Sequence, residues 1–166
     1  MASQSISLFW VKPVKTTRNL FAGGQGHSWA LAIAAAFGLV QSLPLFLADE
    51  SRSLLILLYG AMVGVVALYV FGLLFRISGR LFKSDPKPVE IRTSIGLGLL
   101  PWTLLFGLLF ALTQSGQDGA AIAGYYPVFF ILFFYGYTVL LLSLSVALQL
   151  SLWKTFFCIA VTFIGS

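Results

Sequence analysis

Charged residues are scarce in this sequence. Only 9% of its 166 residues are Asp, Glu, Lys or Arg, whereas 59% are hydrophobic, and the mean hydropathy is +0.97. Soluble domains contain roughly 25% charged residues, so this chain has too few charges to cover a water-soluble globule. We therefore expect an all-α, polytopic transmembrane helix bundle whose surface mostly faces lipid.

Residues for bond-making chemistry are equally rare. Cys158 is the only cysteine, which excludes an internal disulfide and a site built from several thiolates. His27 is the only histidine and has no acid or nucleophile near it in the sequence. The sequence contains no P-loop, histidine metal motif or nucleophile elbow. We expect no catalytic residue, no metal ion, no cofactor and no enzymatic activity.

Long apolar runs are what the sequence has in abundance. A helix needs about 20 apolar residues to cross about 30 Å of hydrocarbon. Five runs predict five spans: 28–48, 53–75, 93–113, 127–148 and 149–166. The last is the weakest, and a half-inserted terminal helix is its alternative. Residues 1–27 have no apolar run of sufficient length, so we expect no cleaved signal and a retained first span.

Positive charge predicts the orientation of these spans. Residues 76–92 hold five of the ten Lys and Arg. With a cytoplasmic N-terminus, nine of the ten fall on the inner side and only Arg52 falls outside, as the positive-inside rule favours. The net charge of +5 is then explained by attraction to anionic lipid headgroups and not by binding of nucleic acid. We predict an N-in, C-out protein of the bacterial cytoplasmic (inner) membrane, with a cytoplasmic segment 1–27 before a transmembrane domain 28–166.

A short helix is predicted within the N-terminal segment. Pro13 suits a first helical turn, and small or apolar side chains follow at helical spacing: Val14, Thr17 and Phe21. We expect an amphipathic helix in the inner interface, with Phe9 and Trp10 anchored at headgroup depth.

A basic cytoplasmic face is the main candidate binding surface. We expect the second span to continue as a helix through Lys83, before the prolines of "SDPKP" end it. Arg76, Arg80 and Lys83 would then share one helical face. Together with the N-terminal cations they form a predicted site for anionic lipid or an acidic partner: Lys12, Lys15, Arg18, Arg76, Arg80 and Lys83.

Small residues four positions apart predict close helix packing. Gly60 and Gly64 form a GxxxG step in the second span, and Ala34 and Gly38 have the same spacing in the first. Such steps let helix backbones approach closely in lipid. We favour packing inside the bundle, with a dimer face as the alternative.

Aromatic residues crowd the start of the fourth span, where 125–137 hold eight of them. An interfacial belt with ordinary packing is the favoured interpretation. The alternative is an apolar groove for an acyl chain or quinone, lined by Phe129, Phe130, Phe133, Phe134 and Tyr137. The middles of the first four spans contain no ionisable Asp, Glu, Lys, Arg or His, which argues against ion- or proton-coupled transport.

Three features of the layout belong together. A "KPVKTTRNLF" helix precedes the spans, a basic loop joins the second and third, and the third opens on "RTSIGLGLLPW". This layout resembles the Yip1 domain family, specifically its short prokaryotic members. The resemblance implies a five-span fold, an N-in topology and association with membrane partners. Eukaryotic members bind Rab GTPases, but this chain lacks their long N-terminal region and "DLYGP"-like element, so that activity is not carried over.

These observations predict a non-enzymatic membrane scaffold or accessory subunit. Its partners would be membrane lipids and either further copies of itself or a larger membrane complex. A lipid or small apolar-molecule transporter that uses the aromatic residues of the fourth span is the alternative.

Overall fold

A computed structural model describes residues 12–22, 24, 26–49, 53–116 and 119–164, with no side-chain description at 120–121. Helices account for nearly all of these residues, which confirms the all-α class, and the described ranges contain no strand. In chain order they are α1 (Pro13–Ala22), α2 (Gly26–Ala48), α3 (Leu54–Leu81), α4 (Pro88–Gln114), α5 (Gly119–Ala123), α6 (Tyr126–Leu148) and α7 (Leu152–Ile164).

Four helices, α2, α3, α4 and α6, are long and apolar enough to cross a membrane. They correspond to the first four predicted spans and support an integral membrane protein. α3 ends at Leu81 and α4 begins at Pro88, so the helical hairpin between them extends beyond the predicted apolar runs. Hydropathy marks the apolar part of a helix, whereas a helix itself ends where its backbone hydrogen bonds stop.

The end of α3 is set by local backbone geometry. Phe82 and Ser84 both donate backbone hydrogen bonds to the carbonyl of Gly79, at 3.0 and 3.1 Å. Lys83 has a left-handed φ of 62°. The predicted helix through Lys83 therefore ends two residues earlier, and Lys83 does not continue the helical face of Arg76 and Arg80.

The membrane helices pack as a bundle in which α4 is central. α4 packs against α2, α3 and α6, and α2 packs against α3. The core joins residues from the helices that meet there: Leu68, Phe75, Ile91, Leu144 and Leu148. Ser94 of α4 donates a hydrogen bond of 2.9 Å to the carbonyl of Ser143 in α6, inside this core.

The predicted fifth span over 149–166 is not confirmed. Gln149 adopts a left-handed conformation with φ of 54°, so α6 stops and a new helix begins only at Leu152. α7 has 13 residues and is therefore about 20 Å long, too short to cross about 30 Å of hydrocarbon. One face of α7 is buried against α3 and α6: Thr155, Cys158, Ile159 and Thr162.

α1 begins at Pro13, the residue predicted to start a helix. Its buried side chains are Thr16, Thr17 and Leu20. They face the bundle, because α1 packs against α6, α4 and α2. The predicted position of this helix in the membrane interface remains a prediction, and the predicted anchors Phe9 and Trp10 lie outside the described residues.

Candidate functional site

Four helix ends meet at one end of the bundle. A Cβ on Gly26, at the start of α2, would lie 2.5 Å from Cγ2 of Thr93 in the second turn of α4. A Cβ on Gly79, near the end of α3, would lie 3.1 Å from Cδ2 of Leu148, the last residue of α6. The Oγ of Ser84 also donates a hydrogen bond to the carbonyl of Leu148. We call this shared end, with α1 and α7 packed beside it, the basic end.

The name reflects the distribution of positive charge. Every Lys and Arg within the described ranges belongs to a segment at this end: Lys12, Lys15, Arg18, Arg76, Arg80, Lys83, Lys87, Arg92 and Lys154. Only two carboxylates lie in the same described segments, Asp85 and Glu90. Glu90 is paired with Lys87 at 3.5 Å. Most of the positive charge at this end is therefore available to an external anion.

The structure places the six residues of the predicted basic face in three different surroundings. Lys12, Lys15 and Arg18 are exposed along α1, where they line a groove of 410 Å³ that also touches Leu142 of α6. Arg80 and Lys83 are exposed at the end of α3. Arg76 is half-buried and lines a separate cavity, so the structure does not unite the six in a single surface.

That separate cavity brings together residues that were not predicted from the sequence to form one site. It has a volume of 310 Å³ and lies between α3 and α4. Its described lining residues are Tyr69, Gly72, Leu73, Arg76, Pro88 and Arg92. On the α3 side the spacing of Tyr69, Gly72 and Arg76 places them on one helical face, a signal that was visible in the sequence. The contribution of Arg92 depends on how α4 packs, which the sequence does not show.

His27 belongs to the same end. Its Nε2 lies 3.4 Å from the hydroxyl of Tyr69, and the two rings are perpendicular with centroids 6.3 Å apart. This contact ties the start of α2 to α3. No group of three or more His, Cys, Asp or Glu suitable for a metal ion occurs among the described residues.

The small residues predicted to pack do lie together. A Cβ on Gly38 would collide with the carbonyl oxygen of Gly60, and a Cβ on Gly64 would collide with that of Ala34. The same Cβ on Gly64 would lie 3.1 Å from Cα of Gly38. The GxxxG step thus allows backbone contact between α2 and α3 within one chain.

The predicted aromatic groove lies on the outer surface of the first half of α6. Phe130, Phe133 and Phe134 are exposed, whereas Phe129 and Tyr137 are half-buried. The ring of Phe134 lies 4.5 Å from that of Phe130 and 5.8 Å from that of Phe133, so these three rings form one aromatic cluster. These residues are far along α6 from the cavities at the basic end, and their role in holding an apolar molecule stays a prediction.

Comparisons with protein family models, with curated proteins and with solved structures gave no match to this chain. The Yip1 resemblance therefore stays a prediction from the sequence layout. The strongest structural feature for function is the basic end.

Proposed function

We propose that this chain is a non-enzymatic integral membrane scaffold or accessory subunit of the Yip1 type. It would bind anionic lipid or an acidic membrane partner through its basic end, on the cytoplasmic side of a bacterial inner membrane. The observation that carries this proposal is the gathering of all nine described Lys and Arg residues at one end of the bundle, beside only two carboxylates.

The orientation follows from that charge distribution. Lys and Arg are retained on the cytoplasmic side of membrane proteins, and each contributes about 1 kcal/mol of attraction near an anionic leaflet. The N-terminal α1 and the end of α3 would thus both be cytoplasmic. Because α7 begins at the same end and is too short to span, we propose four spans with α7 packed at the cytoplasmic end, in place of five.

The groove along α1 supports the binding role. Lys12, Lys15 and Arg18 line it with their charges exposed, and Leu142 of α6 contributes an apolar wall. A surface that combines cations with apolar area suits lipid headgroups and the acidic, partly apolar segment of a protein partner.

Vesicle binding tests this proposal. The full chain, held in discs of zwitterionic lipid, is mixed with phosphatidylglycerol or phosphatidylcholine vesicles. We expect capture by phosphatidylglycerol only, weakened by salt because exposed charges are screened. Substituting Lys15→Gln, Arg18→Gln, Arg80→Gln and Lys83→Gln together should abolish capture.

The control is Arg52→Gln, which removes a cation that the sequence places on the opposite side of the membrane. This variant should behave like the wild type. Unchanged capture by the four-fold variant, in a correctly folded and inserted protein, would refute lipid binding through the basic end.

A further inference from the structure

We infer that the cavity between α3 and α4 binds the phosphate group of an anionic phospholipid through Arg76 and Arg92. The lipid's acyl chains would lie along the exposed apolar surface of α3. This inference rests on the proposed function, in which the basic end meets anionic lipid, and it names the site and the ligand.

Two arginines line one small cavity without a carboxylate among its described lining residues. The Nε of Arg76 is buried and has no hydrogen-bond partner among the described residues. A buried donor without an acceptor is costly, and more so when it is charged. The planar guanidinium matches the oxygens of a phosphate group and can donate two parallel hydrogen bonds to it.

Arg92 is held in position by its neighbours. Its guanidinium carbon lies 4.5 Å from the centroid of the Tyr69 ring, a cation–π arrangement. Its Nε donates a 3.2 Å hydrogen bond to the carbonyl of Pro88, and the guanidinium has two further amino groups that can serve a ligand. Gly72 provides the space, because a Cβ there would lie 2.9 Å from Cγ of Arg92.

The nearest acid in the sequence of α4 does not neutralise this cavity. Glu90 precedes Arg92 by two residues, which places it about 200° around the helix. It is paired with Lys87 and lines cavities beside α1 and the start of α2. Among the described residues, neither Arg76 nor Arg92 forms an ion pair with a carboxylate, so the charge of both is open to an external anion.

Apolar surroundings favour a lipid over a free phosphate ion. At the cavity itself, Leu73 is 57% exposed and Tyr69 is 42% exposed. Val66 and Val70 continue this exposed apolar surface along α3 towards the other end of the bundle. A phosphate at the membrane interface, with acyl chains against these side chains, uses both the charge of the cavity and the apolar surface beside it.

Native mass spectrometry of the full chain in neutral detergent tests the site. Phosphatidylglycerol or phosphatidylcholine is titrated, and the bound fraction of each is measured. We expect Arg76→Gln with Arg92→Gln to weaken phosphatidylglycerol binding at least about tenfold, the loss expected from removing charge-assisted hydrogen bonds. Arg80→Gln with Lys83→Gln is the matched control, because it removes two exposed cations from the same end of α3. We expect this control to weaken phosphatidylglycerol binding by less than about fivefold, because exposed charges are screened by solvent and interact weakly.

A second variant keeps both arginines. Gly72→Ala should displace Arg92 and weaken phosphatidylglycerol binding, whereas Gly107→Ala should not, since a Cβ at Gly107 meets no atom within 4 Å. This pair keeps the test valid if the double arginine variant fails to fold, and unchanged binding by a folded Gly72→Ala protein counts against the site.

The possible results separate the site from the general proposal. Equal losses in the cavity variant and the matched control would overturn the site and leave a diffuse basic end that binds lipid. No loss in either would overturn the site, and the general proposal would then be decided by vesicle capture with the four-fold variant, which also removes Lys15 and Arg18. A further titration uses inorganic phosphate: if it binds with the same dependence on Arg76 and Arg92 while phosphatidylglycerol does not, the lipid assignment is wrong.

Discussion

The Oγ1 of Thr162 in α7 lies 2.9 Å from the Oγ of Ser78 in α3, and both side chains are buried. The same Thr162 oxygen lies 2.8 Å from the carbonyl oxygen of Cys158. In the next position, the ring of Phe163 lies 6.0 Å from that of Phe71. Since Phe71 is about 25 Å along α3 from Leu54, α7 ends far short of the opposite end of the bundle.

This arrangement predicts that the C-terminus stays on the side of the basic end. Single cysteines are introduced at Ser166, Ser151 and Ser115 in a Cys158→Ser background, and intact cells are treated with an impermeant maleimide. Ser151 follows α6 at the basic end, and Ser115 caps α4 at the other. We expect labelling of the Ser115 variant only. Labelling of the Ser166 variant from outside would contradict this arrangement and support the five-span, C-out topology.

The hydroxyl pair should stabilise the docking of α7. Each hydroxyl has one hydrogen, so Thr162 can donate to Cys158 while it accepts from Ser78. Ser78→Ala, Thr162→Val and the double variant form a cycle, with the free energy of unfolding measured by detergent titration. We expect a coupling of about 0.6 kcal/mol, typical of hydrogen bonds between membrane helices. Additive effects would show that the contact contributes nothing.

The contact between α2 and α3 should tolerate no added methyl group. Gly64→Ala would drive a Cβ into the backbone of Ala34, and we expect a loss of about 1–3 kcal/mol in the free energy of unfolding, as in other overpacked cores. Gly107→Ala is the control, because open space surrounds that position. Equal stability of the two variants would contradict the backbone contact at Gly64.

Burial should protect the thiol of Cys158. This side chain is 0% exposed and belongs to the core cluster that α7 shares with α3 and α6. We expect slow reaction with a maleimide in the folded protein and rapid reaction after unfolding, measured as a mass increase. In a Cys158→Ser background, a cysteine at the exposed Ser151 should react rapidly without unfolding. Similar rates for the two thiols in the folded protein would show that α7 is not docked.

Sequence patterns were sufficient to predict the four long helices, because each such helix can be recognised from a sustained apolar run. They also predicted the close helix contact at Gly60 and Gly64, because small residues four positions apart let two helix backbones approach each other in lipid. The last run is not confirmed as a span, because its composition resembles a span while its backbone turns at Gln149. The left-handed backbone conformation of Gln149 is a local feature that a hydropathy pattern does not show.

The cavity between α3 and α4 could not be predicted from the sequence, for a different reason. The sequence shows that Arg76 and Arg92 are cations near the loop between the second and third spans. Whether both line one cavity depends on how α3 packs against α4 at Gly72. Likewise, the predicted alignment of Lys83 with Arg76 assumed a helix that the structure ends at Leu81. Such relationships depend on tertiary packing and on helix ends, which are the least certain parts of a sequence-based prediction.

Native mass spectrometry of the protein extracted gently from its own membrane tests the central proposal most directly, because it detects bound lipids and bound proteins together. The proposal predicts retained anionic phospholipid, a stoichiometric protein partner, or both. It also predicts that these are lost when the cations of the basic end are changed to Gln together: Lys15, Arg18, Arg76, Arg80, Lys83 and Arg92. A protein that holds no anionic lipid and no partner, or that holds them equally after these changes, would contradict a binding role for the basic end.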